Sequence, residues 1–258
     1  MAGAQIGKSE AGNCWLGYVI HHAPGPMLLV QPTVDTAKRF SKQRLAPMIE
    51  ETKILHERIA ANASRDGGNS MMTKEFQGGV LIITGANSAA GLRSMPVRYL
   101  FLDEVDAYPA DVDGEGDPIQ LAEKRTTTFS RRKVYLCSTP TIKDVSRIER
   151  EFMTSDQRRY FVPCPHCGHR QWLRWAQIKW HDDDPQTAAY ACEECGVLIE
   201  ERHKSEMLAA GEWRPTAVSD GRTAGFHLSS LYSPLGWKSW AEIVAEFIAA
   251  KADAALLK

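Results

Sequence analysis

The chain has 258 residues, enough for one large domain or two smaller ones. Its 43% hydrophobic and 24% charged content is that of a globular protein, and 31 basic against 32 acidic residues leave a formal net charge of −1. This balance excludes a uniformly basic nucleic-acid coat, so any contact with DNA must come from local basic patches. No apolar run is long enough to cross a bilayer, and the opening MAGAQIGKSEAG lacks the uninterrupted apolar core of a signal peptide. Of the six cysteines, four form two C-x-x-C pairs while Cys14 and Cys137 stand apart, which favours metal over disulfides in a chain with no export signal. The expectation is a cytoplasmic protein that does not engage a membrane.

In chain order, residues 2–9 read Ala-Gly-Ala-Gln-Ile-Gly-Lys-Ser, the P-loop pattern G-x-x-x-x-G-K-[ST] with Ala2 in place of its first glycine. Backbone N–H groups from Gly3 through Gly7 to Lys8 would wrap a phosphate, with the following helix directing its positive end at it. Lys8 would reach the β- and γ-phosphates of ATP, and Ser9 would hold Mg²⁺. Such a loop ordinarily follows a buried strand, yet only Met1 precedes Ala2, so a sheet lacking its first strand is expected.

MLLVQP (27–32) is a compact apolar run stopped by proline and predicts a buried strand. Thr33 is placed to cap a helix whose apolar stripe would comprise Val34, Ala37, Phe40 and Met48. GGVLIITGAN (78–87), VRYLFLDEVDAYP (97–109) and RKVYLCSTPT (132–141) each contain a further strand. All four are near-continuous apolar runs, the mark of strands covered on both faces in a parallel sheet, and the helical stretches between them give an α/β architecture.

The third of these strands delivers Asp103 and Glu104 at its C-terminal end, where open α/β sheets bind ligands. Asp103 would hold Mg²⁺ with Ser9, and Glu104 would orient and deprotonate the attacking water. Asp106 has no role beyond capping the turn before Pro109. Ser138 and Thr139, after the fourth strand, are candidates to sense the γ-phosphate and couple hydrolysis to movement, although Ser-Thr-Pro also suits an ordinary turn. Arg93 is open to phosphate, DNA or solvent. Arg125, Arg131, Arg132 and Lys133 form a basic cluster whose default is a solvated face.

After about residue 155, prolines, cysteines, tryptophans and histidines crowd the chain. Cys164 and Cys167, then Cys192 and Cys195, sit in matching C-x-x-C-G knuckles separated by 24 residues. Four thiolates suit a closed, tetrahedral and therefore structural Zn²⁺, with a β-hairpin filling the interval. A redox C-x-x-C needs one pair rather than two. His166 and His169 are expected bystanders, and Arg170, Trp172 and Arg174 offer a face for nucleic acid or a partner. Farther on, Ser239 and Glu242 form a capping box ahead of Trp240, Ile243, Val244, Phe247 and Ile248 at helical spacing. The chain closes on DAALLK without a helix terminator. The expected organisation is an ATPase core over 1–155, a zinc-ribbon-like module over 156–203, and a return segment with a helix over 204–258.

The order GAQIGKSE, LLVQPTVDTAKRFSKQRLAPMI, ITGANSAAGLRS, YLFLDEVDAYP, CSTPT, VPCPHCGHRQWLRW and YACEECG closely resembles the large terminase subunits of lambda-type phages, the GpA-like family. The resemblance continues through the K-x-x-M-L-x-x-G-x-W stretch (204–213) and GFHLSSLYSPLGWKSW. It implies an ASCE-type P-loop NTPase, a three-layer sandwich around a mainly parallel sheet, that uses ATP to drive double-stranded DNA into procapsids. Lys8, Ser9, Asp103 and Glu104 match the family's ATPase positions, and Ser138 and Thr139 its coupling motif. The implied partners are double-stranded DNA, a small terminase subunit and the portal protein, with a homo-oligomer as the working motor. The family also carries an N-terminal segment seating the P-loop and a C-terminal nuclease, so a piece truncated at both ends is expected.

Other readings remain at this point. A helicase-like translocase with a zinc ribbon would need further helicase motifs and a second motor domain. A non-catalytic prophage remnant would fold and bind zinc but hydrolyse nothing; the strand missing before Ala2 favours it, and the intact GKS and DE residues oppose it. A module that only binds zinc is the last.

Overall fold

The computed structural model describes residues 1–60 and 69–252; the closing DAALLK lies outside them. The chain gathers into two compact units, one of residues 7–138 and one formed by residues 1–6 with the stretch from Thr139 onward.

In the 7–138 unit the four predicted strands appear as β1 (Met27–Gln31), β3 (Gly79–Gly85), β4 (Tyr99–Asp103) and β5 (Lys133–Cys137), joined by a short β2 (Thr73–Phe76). They form one sheet in the order β2-β3-β1-β4-β5. Every pairing is parallel except β2 with β3, and Leu29 lies opposite both Ile83 and Phe101. β1 and β4 are buried at all positions, as their unbroken apolar runs require. This is a mixed α/β unit on a mainly parallel sheet. β2, too short and charged for the apolar-run test, takes an edge, where pairing on one side suffices.

Helix α1 (Lys8–His21) packs directly over β4. A Cβ at Gly12 would come within 2.1 Å of the Phe101 ring, so only glycine permits this approach. Leu16, Val19 and Ile20 continue the contact into a core shared with Leu29, Ile83 and Phe101. Thr33 caps α2 (Val34–Phe40) as expected: the Thr36 N–H donates to Thr33 Oγ1 at 3.1 Å and the Thr33 N–H to Thr36 Oγ1 at 2.9 Å. The helix then widens into a π turn over Ser41–Leu45, where the Ala46 N–H reaches back to the Ser41 carbonyl, before α3 (Ala46–Glu51). Pro47 accounts for this, because its ring would collide with the carbonyl of residue 43 in an unbroken α-helix. The buried face runs through Ala37, Ser41, Leu45 and Ile49. Of the expected stripe only Ala37 is fully buried, while Phe40 and Met48 pack against the core from its margin. Among the described residues the unit's other α-helices are α4 (Lys53–Ala60), α5 (Ala89–Leu92) and α6 (Pro118–Glu123).

The second unit begins its long segment with α7 (Arg147–Met153) and centres one sheet on β6 (Arg158–Pro163). β6 pairs with β7 (Arg170–Trp172) and β11 (Glu212–Arg214) in antiparallel fashion and with β12 (Phe226–His227) in parallel. Residues at the chain start join here: Ala2 bridges in parallel to Leu228, and the Gly3 N–H donates to the Leu228 carbonyl at 2.8 Å. A second, antiparallel sheet contains β8 (Ile178–His181), β9 (Asp184–Ala191) and β10 (Leu198–Ile199). Helices α8 (Lys204–Ala209) and α9 (Trp240–Ala252) complete the unit. The capping box forms, with the Glu242 N–H on Ser239 Oγ at 3.1 Å and the Ser239 N–H on Glu242 Oε2 at 2.7 Å.

The Lys204 side chain, 1% exposed, carries a charge into this core, where Glu201 pairs with its ammonium and the Trp240 ring lies 5.5 Å away. The same Glu201 carboxylate accepts the Trp240 N–H at 3.0 Å, so one acid neutralises a buried cation and caps α9. Glu201→Ala is expected to cost about 3 kcal/mol, because the cation would remain buried without its partner. Urea unfolding read at the tryptophans checks this, and the double change with Lys204→Met should recover most of the loss.

Candidate nucleotide site and cysteine cluster

The 7–138 unit brings the acidic pair to the start of α1. Gly7 caps that helix with φ of 85°, a left-handed conformation that glycine adopts without strain, and turns the chain so that Lys8 and Ser9 open the helix at the C-terminal end of the sheet. Ser9 Oγ donates to Asp103 Oδ1 at 3.0 Å, and Lys8 Nζ pairs with Glu104 Oε1 at 2.9 Å. Two adjacent pairs, far apart from each other in sequence, thus occupy one locus. Tyr135, on β5, donates its hydroxyl to the Lys8 carbonyl at 2.9 Å and ties the first turn of α1 to the sheet.

Asp103 is 5% exposed and meets three donors. Besides Ser9, Gln31 Nε2 donates to Oδ2 at 3.1 Å from the end of β1, and the Cys137 thiol donates to Oδ1 at 3.0 Å from the end of β5. Burial and the adjacent Asp103 push the Cys137 thiol far above its ordinary range, so it remains a proton donor. Sequence reasoning missed Gln31 and Cys137 as site residues. Their signal was positional: each ends a strand that flanks β4.

Glu104 departs from strand geometry, with φ of 54° and ψ of 52°. A non-glycine residue in the left-handed region is strained, and the turn swings its carboxylate away from the buried line of β4 to Lys8. Ser138 Oγ donates to Glu104 Oε2 at 3.3 Å and accepts the Asp106 N–H at 3.2 Å, so the residue after β5 fixes the other carboxylate oxygen. Tyr108 closes the turn through its hydroxyl on the Val30 carbonyl at 2.8 Å.

Of the remaining candidates, Gly3 belongs to the other unit, where its amide is engaged by Leu228, and Thr139 opens that unit's long segment. Arg93 pairs with Glu115 at 3.0 Å. Arg131, Arg132 and Lys133 are exposed, whereas Arg125 is half-buried.

The Ser9–Asp103 pair fits a magnesium ion. Ligand oxygens adjacent on an octahedral Mg²⁺ lie about 2.9 Å apart, and Ser9 Oγ and Asp103 Oδ1 hold nearly that spacing. In the second unit the Sγ atoms of Cys164, Cys167, Cys192 and Cys195 all lie within 4.8 Å of one another. Cys164 and Cys195 are 4.0 Å apart and Cys167 and Cys192 3.7 Å, against about 3.8 Å for the edge of a tetrahedral Zn–thiolate site. Each knuckle closes on a left-handed glycine, Gly168 or Gly196, whose N–H returns to the first cysteine's carbonyl. Burial works against the Cys192 thiolate, yet the amides of Cys195 and Glu194 and the neighbouring thiols bring it down to about 6. The β8–β9 hairpin occupies the interval between the knuckles. His166 and His169 are not in the cluster; His166 meets the His203 ring edge-on instead.

A family model described as phage terminase large subunit gpA, ATPase domain, matches residues 1–213. The chain belongs to this family. It is 30% identical over 263 aligned residues to the terminase large subunit of Enterobacteria phage P21, covering 92% of this chain and 40% of that protein. It is 27% identical over 274 aligned residues to that of Escherichia phage lambda, covering 97% of this chain and 42% of that protein. The chain therefore spans about two fifths of the length of the curated relatives it matches. Among solved structures, the large terminase ATPase domain of Thermus phage P74-26 aligns with a TM-score of 0.41 at 18% identity, over 60% of this chain and 62% of that chain.

Gln31→Ala is expected to weaken Mg²⁺ affinity rather than abolish it. Removing the donor on Asp103 Oδ2 frees that carboxylate to rotate, and loss of such a supporting contact typically costs about 10-fold or more in metal affinity. A magnesium titration of nucleotide binding measures the shift.

Proposed function

We propose that this chain is the ATP-hydrolysing motor portion of a DNA-packaging terminase large subunit. The observation that carries this reading is the convergence of Lys8, Ser9, Asp103 and Glu104 at the C-terminal end of a parallel sheet. In this reading residues 1–155 serve hydrolysis, 156–203 form a zinc-ribbon-like module and 204–258 a return segment. Ser9 and Asp103 hold Mg²⁺, which when bound offsets phosphate charge and orients ATP. Lys8 exchanges Glu104 for the β- and γ-phosphates. Glu104, relieved of that ion pair, accepts a proton from the attacking water. Ser138 keeps hold of the other Glu104 oxygen, so a change at the γ-phosphate is felt at the end of β5 and at Thr139, which continues into the other unit.

That contact supports a coupling role for Ser138, with Thr139 the next residue in the chain. Double-stranded DNA is the substrate moved, and a small terminase subunit, a portal protein and further copies of the motor chain are its partners in the host cytoplasm. No helix among the described residues is long and apolar enough to cross a membrane. The endonuclease activity of the family is not assigned to these residues. One Zn²⁺ on Cys164, Cys167, Cys192 and Cys195 would staple the second unit, with no coordination position left for chemistry.

DNA-stimulated ATP turnover tests the motor reading. Glu104→Gln is expected to lower the rate about 100-fold or more while nucleotide still binds, and Lys8→Ala to lose binding. An equal rate in Glu104→Gln removes Glu104 as the base; absence of nucleotide binding by the unaltered chain favours the non-catalytic reading. Metal analysis should return one zinc per chain. Cys164→Ser should lose it and lower the thermal midpoint of the second unit, without changing nucleotide binding in the 7–138 unit.

A further inference from the structure

The second unit holds a cavity of about 310 Å³ that the motor chemistry does not use. Its wall includes Arg159 on β6, Trp172 on β7, the turn that follows through Arg174 and Trp175, and Ser229 and Ser230. The volume lies at the small end of ligand sites and has room for about one nucleotide unit.

Arg159 is the informative residue. Its half-buried guanidinium has no carboxylate partner among the described residues, and burial lowers its affinity for its own proton. The hydrogen-bond partner it has is His227 Nδ1, at 2.5 Å. Burial and the positive charge of Arg159 hold His227 down to about 3, so the pair carries the charge of one arginine and no compensating negative charge. A guanidinium withdrawn from water is ordinarily matched by an anion. The Ser229 hydroxyl oxygen is also buried there without a partner.

The rest of the wall is aromatic and rigid. The guanidinium carbons of Arg159 and Arg174 lie 5.8 Å and 5.2 Å from the Trp172 ring centre. Two tyrosines pin the turn by hydrogen bonds. Tyr232 accepts the Leu173 N–H at 2.7 Å, while Tyr190 accepts the Arg174 N–H at 3.2 Å and donates to the Trp172 carbonyl at 3.0 Å. Arg174 is held at the rim by Glu193, at 2.6 Å. Cation, unsatisfied hydroxyl and indole surfaces on a fixed platform are the combination that recognises a phosphate joined to a planar ring.

We propose that this cavity binds one nucleotide, with its phosphate on Arg159 and Ser229 and its base among the indoles of Trp172 and Trp175. The nucleotide is either a free monophosphate or the phosphorylated end of a single strand. The inference does not depend on hydrolysis at Lys8, and its test is run in Lys8→Ala chains so that the P-loop contributes nothing to the readout.

Tryptophan fluorescence would be titrated with inorganic phosphate, with dAMP, and with a 5′-phosphorylated ten-residue thymidine strand. Saturable quenching by dAMP or the strand, well ahead of inorganic phosphate, is expected; a stronger response to the strand identifies a strand end as the source, and an equal one a free nucleotide. Arg159→Met should weaken binding about 10-fold or more, with partial recovery in Arg159→Lys. Arg174→Gln, a change at the exposed rim that leaves the core untouched, should weaken it a few-fold, which keeps the test decisive if Arg159→Met does not fold. No quenching by any probe at millimolar concentration overturns the proposal. So does phosphate binding as tightly as dAMP, or unchanged affinity in the folded arginine variants.

Discussion

The 7–138 unit is organised around the cost of burying Asp103. A carboxylate taken out of water loses several kcal/mol of hydration unless donors replace it. Here the replacements come from three elements: Ser9 on α1, Gln31 on β1 and Cys137 on β5. Parallel order makes this possible, because it gathers the C-terminal ends of β1, β4 and β5 on one side of the sheet. Asp103 consequently ties together the helix that carries Lys8 and the two strands that flank its own.

The neighbouring carboxylate is treated in the opposite way. Glu104 has a left-handed backbone, a partly exposed side chain, and Lys8 and Ser138 as partners. Strain of this kind persists only where surrounding contacts enforce it, and here Ser138 and the Tyr108 anchor do so. Two adjacent acids are thus separated in role by backbone geometry. One is locked at the end of a strand and suits a metal; the other is turned toward the lysine and suits proton transfer.

This division also explains which features were legible in the sequence. β1 and β4 are apolar runs because both faces are covered, whereas β3 is partly buried and β5, at the sheet edge, is fully buried only at Cys137, so its apolar run overstated its cover; such runs are visible without any partner. The Thr33 cap, the Ser239–Glu242 box and the cysteine knuckles are local patterns whose spacing carries the physics. Gln31 and Cys137 escaped because their role arises only when strand ends align: a glutamine before proline looks like the close of a strand, and a lone cysteine like core. The pairing of Ala2 with Leu228 was hidden for the same reason, since it joins segments far apart in the chain. The π turn did have a signal in Pro47, set inside an otherwise helical stretch; the predicted stripe missed its consequence and drew the apolar face through Phe40 and Met48 rather than Ser41 and Leu45.

One buried and one half-buried cation in the second unit show how structural and ligand-seeking charges differ. Lys204 is nearly inaccessible, yet its charge is accounted for: Glu201 pairs with it, Trp240 faces it, and the same acid caps α9. Removing any part of that set costs stability, and nothing in it calls for a ligand. Arg159 is less deeply buried but has a worse balance, with aromatic rings and a neutral imidazole for company and no acid. Stability alone would favour an apolar residue of similar volume, because an uncompensated guanidinium costs more than it returns. A charge kept under those conditions, beside an unsatisfied hydroxyl and on a platform that two tyrosines hold rigid, is explained by an anion that arrives from outside the chain.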